Sequence, residues 1–270
     1  MNNKSAKQIT KSYKLIKVGT LIAYAFGIVI GALLLNTHAL LGICIIVALL
    51  ISAKSTFDMI REKTVERVIY EDLDAEKFSE IVKLGAFGKS RHHKMLAAMY
   101  SGDHETILSI TEENLKKQVN PVELCNNLYK RGFVYFERED YDSLAKTVNE
   151  FKKLKAQHPK FAGIFENYSV FEKYDALIDK DYEYIVEICE YDLKNDSKKQ
   201  QNHKLTILNV SYYRAIALYK LERFDEARAA FENIIAFAPK TYKATLAKEY
   251  LKRPELNYKV EELIWKNQVL

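Results

Sequence analysis

The sequence predicts an all-α protein, in which a two-helix transmembrane hairpin at the N-terminal side is followed by an α-solenoid of helical hairpins. Three observations predict this class. Residues 18–53 contain no Asp, Glu, Lys or Arg. Much of the remaining chain repeats apolar residues at spacings of three and four, as amphipathic helices do. The four prolines fall at the edges of these stretches, which is typical of helices because proline cannot continue one.

The uncharged stretch divides into two apolar runs, residues 18–35 and 39–53. As helices they are about 27 and 22 Å long, against a hydrocarbon core of about 30 Å. The second run therefore crosses a bilayer only by recruiting neighbouring residues or by thinning the lipid. The link of residues 36–38 is so short that two crossing helices form an antiparallel hairpin. The alternatives are a signal peptide for the first run and a re-entrant or buried helix for the second.

The distribution of lysine and arginine predicts the orientation of this hairpin. Residues 1–17 form a basic tail with five lysines and no acid, and Lys54, Arg61, Lys63 and Arg67 follow the second run. The connecting loop has no basic residue. Since cytoplasmic flanks carry the excess of Lys and Arg, we expect both termini and the repeat domain in the cytoplasm. Three scattered cysteines without metal or disulfide spacing fit a reducing compartment.

Small residues form a stripe on the first run. Ala23, Gly27 and Gly31 lie four residues apart, a spacing that lets helices approach closely. The stripe either seats the second run or packs against another membrane protein or a second copy, and within a hairpin the first interpretation is favoured. The predicted membrane partners are thus the bilayer, through residues 18–53, and a homo-oligomer as a further candidate.

The net charge of the chain argues against nucleic acid as a partner. The chain carries +5, which equals the five lysines of residues 1–17, so that residues 54–270 are neutral. A neutral domain lacks the basic surface that nucleic-acid binding requires.

Residues 54–90 read as a helical linker and cap, because Asp72 and Asp74 precede an amphipathic helix over 75–82.

Residues 91–270 read as helical repeats, and the clearest hairpin covers residues 210–239. Its two apolar stripes are separated by a turn at 221–225, and Pro239 closes the second helix. Such a hairpin cannot bury its own faces and needs stacked neighbours. The hairpin resembles a tetratricopeptide repeat, although Ser211 and Arg214 depart from the family pattern. The matching positions are Ala215, Tyr219, Phe224, Ala227, Phe231 and Pro239.

A second stretch, residues 125–159, resembles the same family through Gly132, Tyr135 and Tyr141. Weaker hairpins are predicted over 94–115 and 165–193, and terminal helices over 241–251 and 256–268. The first residues after the four turns lie 37, 41 and 42 positions apart, whereas the family repeats about every 34 residues. These residues are His104, Tyr141, Tyr182 and Phe224.

The sequence contains no recognisable motif for phosphate binding, metal binding or catalysis. Residues 85–90 end in Gly-Lys-Ser, but a phosphate-binding loop needs a glycine where Lys83 stands and a preceding strand; a helix C-cap is the better interpretation. The adjacent His92 and His93 point apart on a helix and cannot share a metal, so we expect them to be exposed. Glu137 reads as a solvated turn carboxylate. We therefore predict no enzyme activity, no cofactor and no metal.

The family resemblance implies a concave groove, lined by the first helix of each hairpin, that binds a peptide or a partner helix. The alternative interpretation is that these side chains form the core between repeats. The sequence thus favours a membrane-anchored cytoplasmic adaptor or scaffold, ahead of a structural subunit of a membrane complex assembled through the hairpin, and of an enzyme with an unrecognised site. The groove residues implied are Asn126, Tyr129, Phe133, Phe136, Tyr174, Asn209, Tyr212, Ile216 and Lys220.

Overall fold

The computed structural model describes residues 4–35, 37–88, 90–117, 120–195 and 203–257. Most of these residues are helical and none forms a strand, which confirms the all-α prediction. The chain divides into two compact units, Met1–Ala97 and Ala98–Leu270, and each is described by itself. The predicted helix over 256–268 and the connection over 195–202 fall almost entirely outside the described residues.

Unit 1 begins with two long helices, α1 (Ala6–Leu34) and α2 (Ala39–Arg61), which pack against each other. Ser5 starts α1 with a capping box, in which its hydroxyl accepts from the Gln8 N–H and the Gln8 side chain accepts from the Ser5 N–H. The described residues contain two helices long and apolar enough to cross a membrane, and only 6% of the apolar window of each is buried. That part of the sequence prediction is confirmed.

The basic segment before residue 18 continues the first apolar run as one unbroken helix. Ala6, Thr10 and Tyr13 share one face of α1 and are buried. On this side α1 packs against the π-helical turn Glu62–Glu66 and against α4 (Ala75–Lys83). A small helical core therefore forms at the base of the hairpin.

The second long helix continues beyond α2 through the π-helical turn into α3 (Arg67–Tyr70). Asp74 then caps α4 by accepting the Lys77 N–H at 3.0 Å. Helix α4 ends before Gly85, whose φ of 74° is the left-handed conformation typical of a helix C-cap. A helix precedes the Gly-Lys-Ser segment where a phosphate-binding loop would need a strand.

The prediction that His93 is exposed is wrong. Its Nε2 lies 2.7 Å from Glu66 Oε1, and its ring stacks on Phe87 with centroids 3.7 Å apart. Glu66 also accepts from Arg61 Nε at 2.8 Å. His93 is buried because it is a hydrogen-bond partner of Glu66, and a buried carboxylate is stable only when donors are paired with it. The partner lies 27 residues away from His93, so local spacing could not indicate it.

Within the described residues, unit 2 contains four helical hairpins and a final helix. From α6 onward the longer helices pack against their neighbours in chain order, and the short α9 packs against α7. The first helix, α5, begins in the residues assigned to unit 1. The helices are α5 (Arg91–Ser101), α6 (His104–Leu115), α7 (Pro121–Glu137), α8 (Tyr141–Gln157), a 3₁₀ turn (Pro159–Phe161), α9 (Ala162–Phe165), α10 (Val170–Ile178), α11 (Tyr182–Asn195), α12 (His203–Lys220), α13 (Phe224–Phe237) and α14 (Tyr242–Tyr250).

One turn geometry recurs in the four hairpins formed by α5–α6, α7–α8, α10–α11 and α12–α13. In each turn one residue adopts a positive φ, and the next residue donates its N–H to the carbonyl five positions earlier at 2.8–3.0 Å. This is the hydrogen bond of a Schellman C-cap. In the first three turns an aspartate also caps the following helix. The positive-φ residues are Gly102, Glu139, Lys180 and Glu222.

Candidate functional site

Five of the nine predicted groove residues lie in the core of unit 2 instead of on an open surface. Each of the five is at most 4% exposed. The rings on the first helices of successive hairpins meet one another, so their apolar area is buried within the domain. The core interpretation therefore describes these five side chains. They are Phe133, Phe136, Tyr174, Tyr212 and Ile216.

Phe136 on α7 is the centre of this aromatic core. Its ring centroid lies 5.9 Å from those of Tyr174 and Tyr212 and 4.6 Å from that of Tyr213, within the range of favourable ring pairs. The Tyr174 and Tyr213 hydroxyls are 3.1 Å apart. Burial raises the pKa of both phenols well above 10, so they stay neutral and one donates to the other. We call Phe133, Phe136, Tyr174, Tyr212 and Tyr213 the aromatic face.

The other four predicted residues remain accessible. Asn126 is exposed on α7, and Tyr129 is half-buried with its ring 6.4 Å from that of Tyr168. Asn209 on α12 donates to the Tyr100 hydroxyl at 3.0 Å. Lys220, at the end of α12, places Nζ 5.7 Å from the centre of the Tyr141 ring. We call Asn126, Tyr129, Asn209 and Lys220 the rim.

Helix α14 covers the part of the aromatic face that Phe133 and Tyr212 form. Lys243 extends over it, with Nζ 4.3 Å from the ring centroid of Phe133 and 5.1 Å from that of Tyr212. Both distances are in the range of cation–π attraction. Lys243 is 1% exposed. The surface that the family resemblance assigned to a peptide thus holds a helix of this same chain.

A buried ionic cluster fixes Lys243. Its Nζ lies 2.6 Å from Glu137 Oε1, and the other oxygen of Glu137 lies 2.8 Å from His104 Nε2. Arg138 Nε donates to His104 Nδ1 at 3.3 Å, and since arginine has no acceptor, the proton of a neutral His104 is assigned to Nε2. The glutamate therefore receives hydrogen bonds from both partners, as a buried charge must.

The expectation that Glu137 is a solvated turn carboxylate is wrong. Its side chain is 0% exposed, although it lies at the end of α7 next to a turn. The partners that allow this burial come from residues 33 and 106 positions away. The spacing of residues within a single helix cannot indicate such a cluster.

A second contact holds the other end of α14. The Tyr250 hydroxyl donates to Glu139 Oε1 at 2.7 Å, and Arg253 donates to the same oxygen at 2.9 Å. The Arg253 guanidinium lies 3.8 Å from the centre of the Tyr250 ring. Burial acts to raise the pKa of Glu139, but the Tyr250 hydrogen bond and the Arg253 charge outweigh it, so the net pKa lies below the ordinary value.

In unit 1 the small-residue stripe is used within the hairpin. A Cβ on Gly31 would lie 2.8 Å from Ile46 Cγ1, and one on Gly27 would lie 2.8 Å from Leu49 Cδ1, so both glycines face α2. Opposite them, a Cβ on Gly42 would come within 2.6 Å of the Gly31 carbonyl oxygen. Ala23 is exposed. This packing matches the interpretation that the stripe seats the second helix.

The described residues contain no group of three His, Cys, Asp or Glu side chains arranged to hold a metal ion. Fold and site together define the class: an all-helical protein with two helices long and apolar enough for a membrane, and a helical-hairpin domain whose aromatic face is partly covered by its own α14. No known protein family, curated protein or solved structure matches the chain.

Proposed function

We propose that the protein is a membrane-anchored adaptor or scaffold, whose TPR-like helical domain binds a protein or peptide partner. The observation that carries the proposal is the contact between α14 and the aromatic face. Helix α14 is held there because Lys243 lies over the rings of Phe133 and Tyr212 and pairs with Glu137. Aromatic rings with an ionic anchor are also the side chains that dominate binding between proteins.

In this proposal the rim supplies the contacts that α14 leaves accessible. The rim lies on α7 and α12, the two helices that carry most of the aromatic face. Its amide groups and ammonium group suit a peptide backbone or a carboxylate, and Tyr129 adds aromatic area. The partner is therefore a protein segment that packs beside α14 or takes its place.

The membrane part of the proposal is that α1 and α2 cross the bilayer, with both flanks and unit 2 in the cytoplasm. It is supported by the length and low burial of the two apolar helices and by the lysine and arginine bias. In a variant with its native cysteines replaced, Thr37→Cys should react with a membrane-impermeant maleimide on intact cells. Ser143→Cys should react only after permeabilisation, and the reverse pattern would contradict this orientation.

A structural subunit assembled through the hairpin is the alternative, and it has less support. Gly27 and Gly31, the residues that would let another helix approach, already face α2. Such a subunit would have to associate through large exposed side chains such as Phe26 and Leu33, each 67% exposed. Lipid covers side chains of this kind equally well.

The test compares the proteins retained by variants of the full-length chain in lipid nanodiscs. Asn126→Ala with Lys220→Gln changes accessible rim positions and places no acid beside Glu139. Lys248→Gln is the control, because Lys248 is exposed on α14 and loses the same charge. The proposal expects a partner held by the wild type and the control but lost by the rim variant. Equal retention by all three would overturn binding through the rim.

A further inference from the structure

The basic part of α1 lines a cavity in unit 1. The cavity has a volume of about 400 Å³. Three lysines on one face of the helix, at spacings of four and three residues, form its polar wall. Two apolar side chains of the same helix and one residue after α4 complete it. The lining residues are Lys7, Thr10, Lys11, Lys14, Leu15, Val18 and Leu84.

Thr10 lines this cavity and carries an unused hydrogen-bonding group. The residue is 5% exposed, and its buried hydroxyl has no hydrogen-bond partner. Other helical threonines satisfy the hydroxyl on their own helix: Thr20 donates to the Ile16 carbonyl and Thr111 to the Ile107 carbonyl, each at 2.9 Å. A buried polar group without a partner is unfavourable, so a ligand that accepts from Thr10 would be stabilised.

The lysines of the cavity are positively charged groups without a matching acid. Residues 1–17 contain no Asp or Glu, and in the described part of the chain neither Lys7 nor Lys11 forms a salt bridge. Lys14 is held in place, because its Nζ donates to the Leu84 carbonyl at 3.2 Å. The site therefore presents donors and positive charge, and an anion with several acceptor oxygens satisfies both.

The position of the cavity along α1 indicates where this anion comes from. Leu15 and Val18 form an apolar wall at the start of the uncharged run. Lys11 lies about 10 Å before Val18 along the helix axis, which places it at the depth of lipid headgroups if the run begins at the hydrocarbon boundary. A free phosphate makes no favourable contact with the apolar wall, whereas a lipid acyl chain does.

We propose that this cavity binds the headgroup phosphate of an anionic phospholipid. Lys7 and Lys11 pair with the phosphate oxygens, and Leu15 and Val18 contact the acyl chain. The Thr10 side chain rotates to another staggered rotamer, and its hydroxyl then donates to one phosphate oxygen. The inference rests on the proposed membrane anchoring of α1. It goes beyond that proposal because it assigns a specific lipid site to individual residues.

The experiment reconstitutes the full-length protein into vesicles of phosphatidylcholine and phosphatidylglycerol. The protein is then extracted in mild detergent, and the retained lipids are counted by native mass spectrometry. The wild type should retain phosphatidylglycerol in preference to phosphatidylcholine. Lys11→Gln should lower this retention about tenfold, the effect of losing one hydrogen bond between a charged group and the phosphate. Thr10→Val should also lower it, although it removes no charge and no satisfied hydrogen bond.

Lys17→Gln is the matched control, because it removes the same charge from α1 at a position outside the cavity. It should retain phosphatidylglycerol as the wild type does. Equal losses in Lys17→Gln and Lys11→Gln, or full retention by Thr10→Val, would reduce the effect to general surface attraction and overturn the site. Displacement of the lipid by inorganic phosphate alone would overturn the lipid source. Failure of the anchoring itself gives a separate result, since alkaline washing would then remove every variant from the vesicles.

Discussion

Lys243 and Glu137 form an ion pair of 2.6 Å although 106 residues separate them in the chain. Their side chains are 2% and 0% exposed. The pair joins α14 to the end of α7, beside the rings of Phe133 and Tyr212. One of the two contacts that hold α14 is therefore between charges that have no access to water.

Loss of one partner of this pair should be strongly destabilising. Lys243→Met keeps the length of the side chain but leaves the Glu137 carboxylate buried with His104 alone. We expect the free energy of unfolding to fall by about 3–5 kcal/mol, the usual effect of an uncompensated buried charge. Urea unfolding of the detergent-solubilised protein, followed by circular dichroism, measures it.

The matched variants separate charge from packing. Lys248→Met changes an exposed lysine of the same helix and should leave the unfolding midpoint unchanged. Glu137→Gln combined with Lys243→Met removes both charges and keeps an amide oxygen that accepts from His104 Nε2, so no uncompensated charge stays buried. Most of the lost stability should return in the double variant. An equal loss in the single and double variants would mean that packing, not charge pairing, dominates at this position.

Gly102 should tolerate no side chain. Its φ is 78°, and a Cβ there would collide with the Tyr242 ring. Gly102→Ala should therefore destabilise by at least about 1–2 kcal/mol, the cost of the left-handed conformation for an L-residue. Gly163→Ala is the control, because Gly163 lies in α9 and a Cβ added there would meet no atom within 4 Å. That variant should be neutral or more stable by up to about 1 kcal/mol, and similar losses in both would contradict the account.

The contact between Glu139 and α14 should make stability depend on pH. The pKa of Glu139 in the folded protein lies below the ordinary 4.5, so folding favours the charged carboxylate. Its stabilising contribution is present above pH 4.5 and is lost as the pH falls through the lower folded-state pKa. Glu139→Gln should therefore be less stable than the wild type near neutral pH. Its free energy of unfolding, measured by urea titration, should fall less as the pH is lowered.

Glu232→Gln is the control for this titration. Glu232 forms an exposed pair with Arg228 in α13, and pairs of this kind contribute little. Its pH profile should follow that of the wild type. If Glu139→Gln also kept the wild-type acid limb, the carboxylate would not be stabilised by Tyr250 and Arg253.

The hairpin of unit 1 should depend on Gly31. A larger side chain there would displace Ile46 and separate α1 from α2, since a Cβ alone lies 2.8 Å from Ile46. Gly31→Leu should lower the melting temperature of the protein in detergent, measured by fluorescence-detected size exclusion. Gly19→Leu adds the same side chain to α1 at a site with no neighbour within 4 Å. Its melting temperature should stay within error of the wild type.

The sequence pattern was sufficient to predict the helices, because their determinants are local. Apolar spacing, the turns and the prolines depend on residues within one or two helical turns. Pro121 is the first residue of α7, and Pro239 follows the end of α13. The after-turn residues predicted from the sequence each begin the second helix of a hairpin, as Tyr141 and Phe224 show.

The burial of the aromatic face could not be predicted in the same way. A ring on the first helix of a hairpin has the same spacing whether it faces a groove or a neighbouring helix, and only tertiary contacts decide between the two. Phe133 is fully buried because Lys243, two hairpins later, lies over it. The cavity beside Thr10 likewise depends on Leu84, whose proximity to α1 is a tertiary contact without a local signal.

Photocrosslinking in intact cells tests the proposed adaptor most directly. A photoreactive phenylalanine analogue would replace Lys220 on the rim, Lys248 on the exposed side of α14, or Leu33 in the apolar hairpin, in the full-length protein. We expect a discrete crosslinked partner from position 220 and none from position 248. A partner captured only from position 33, with none from 220, would contradict the proposed adaptor and assign the specific interaction to the membrane helices.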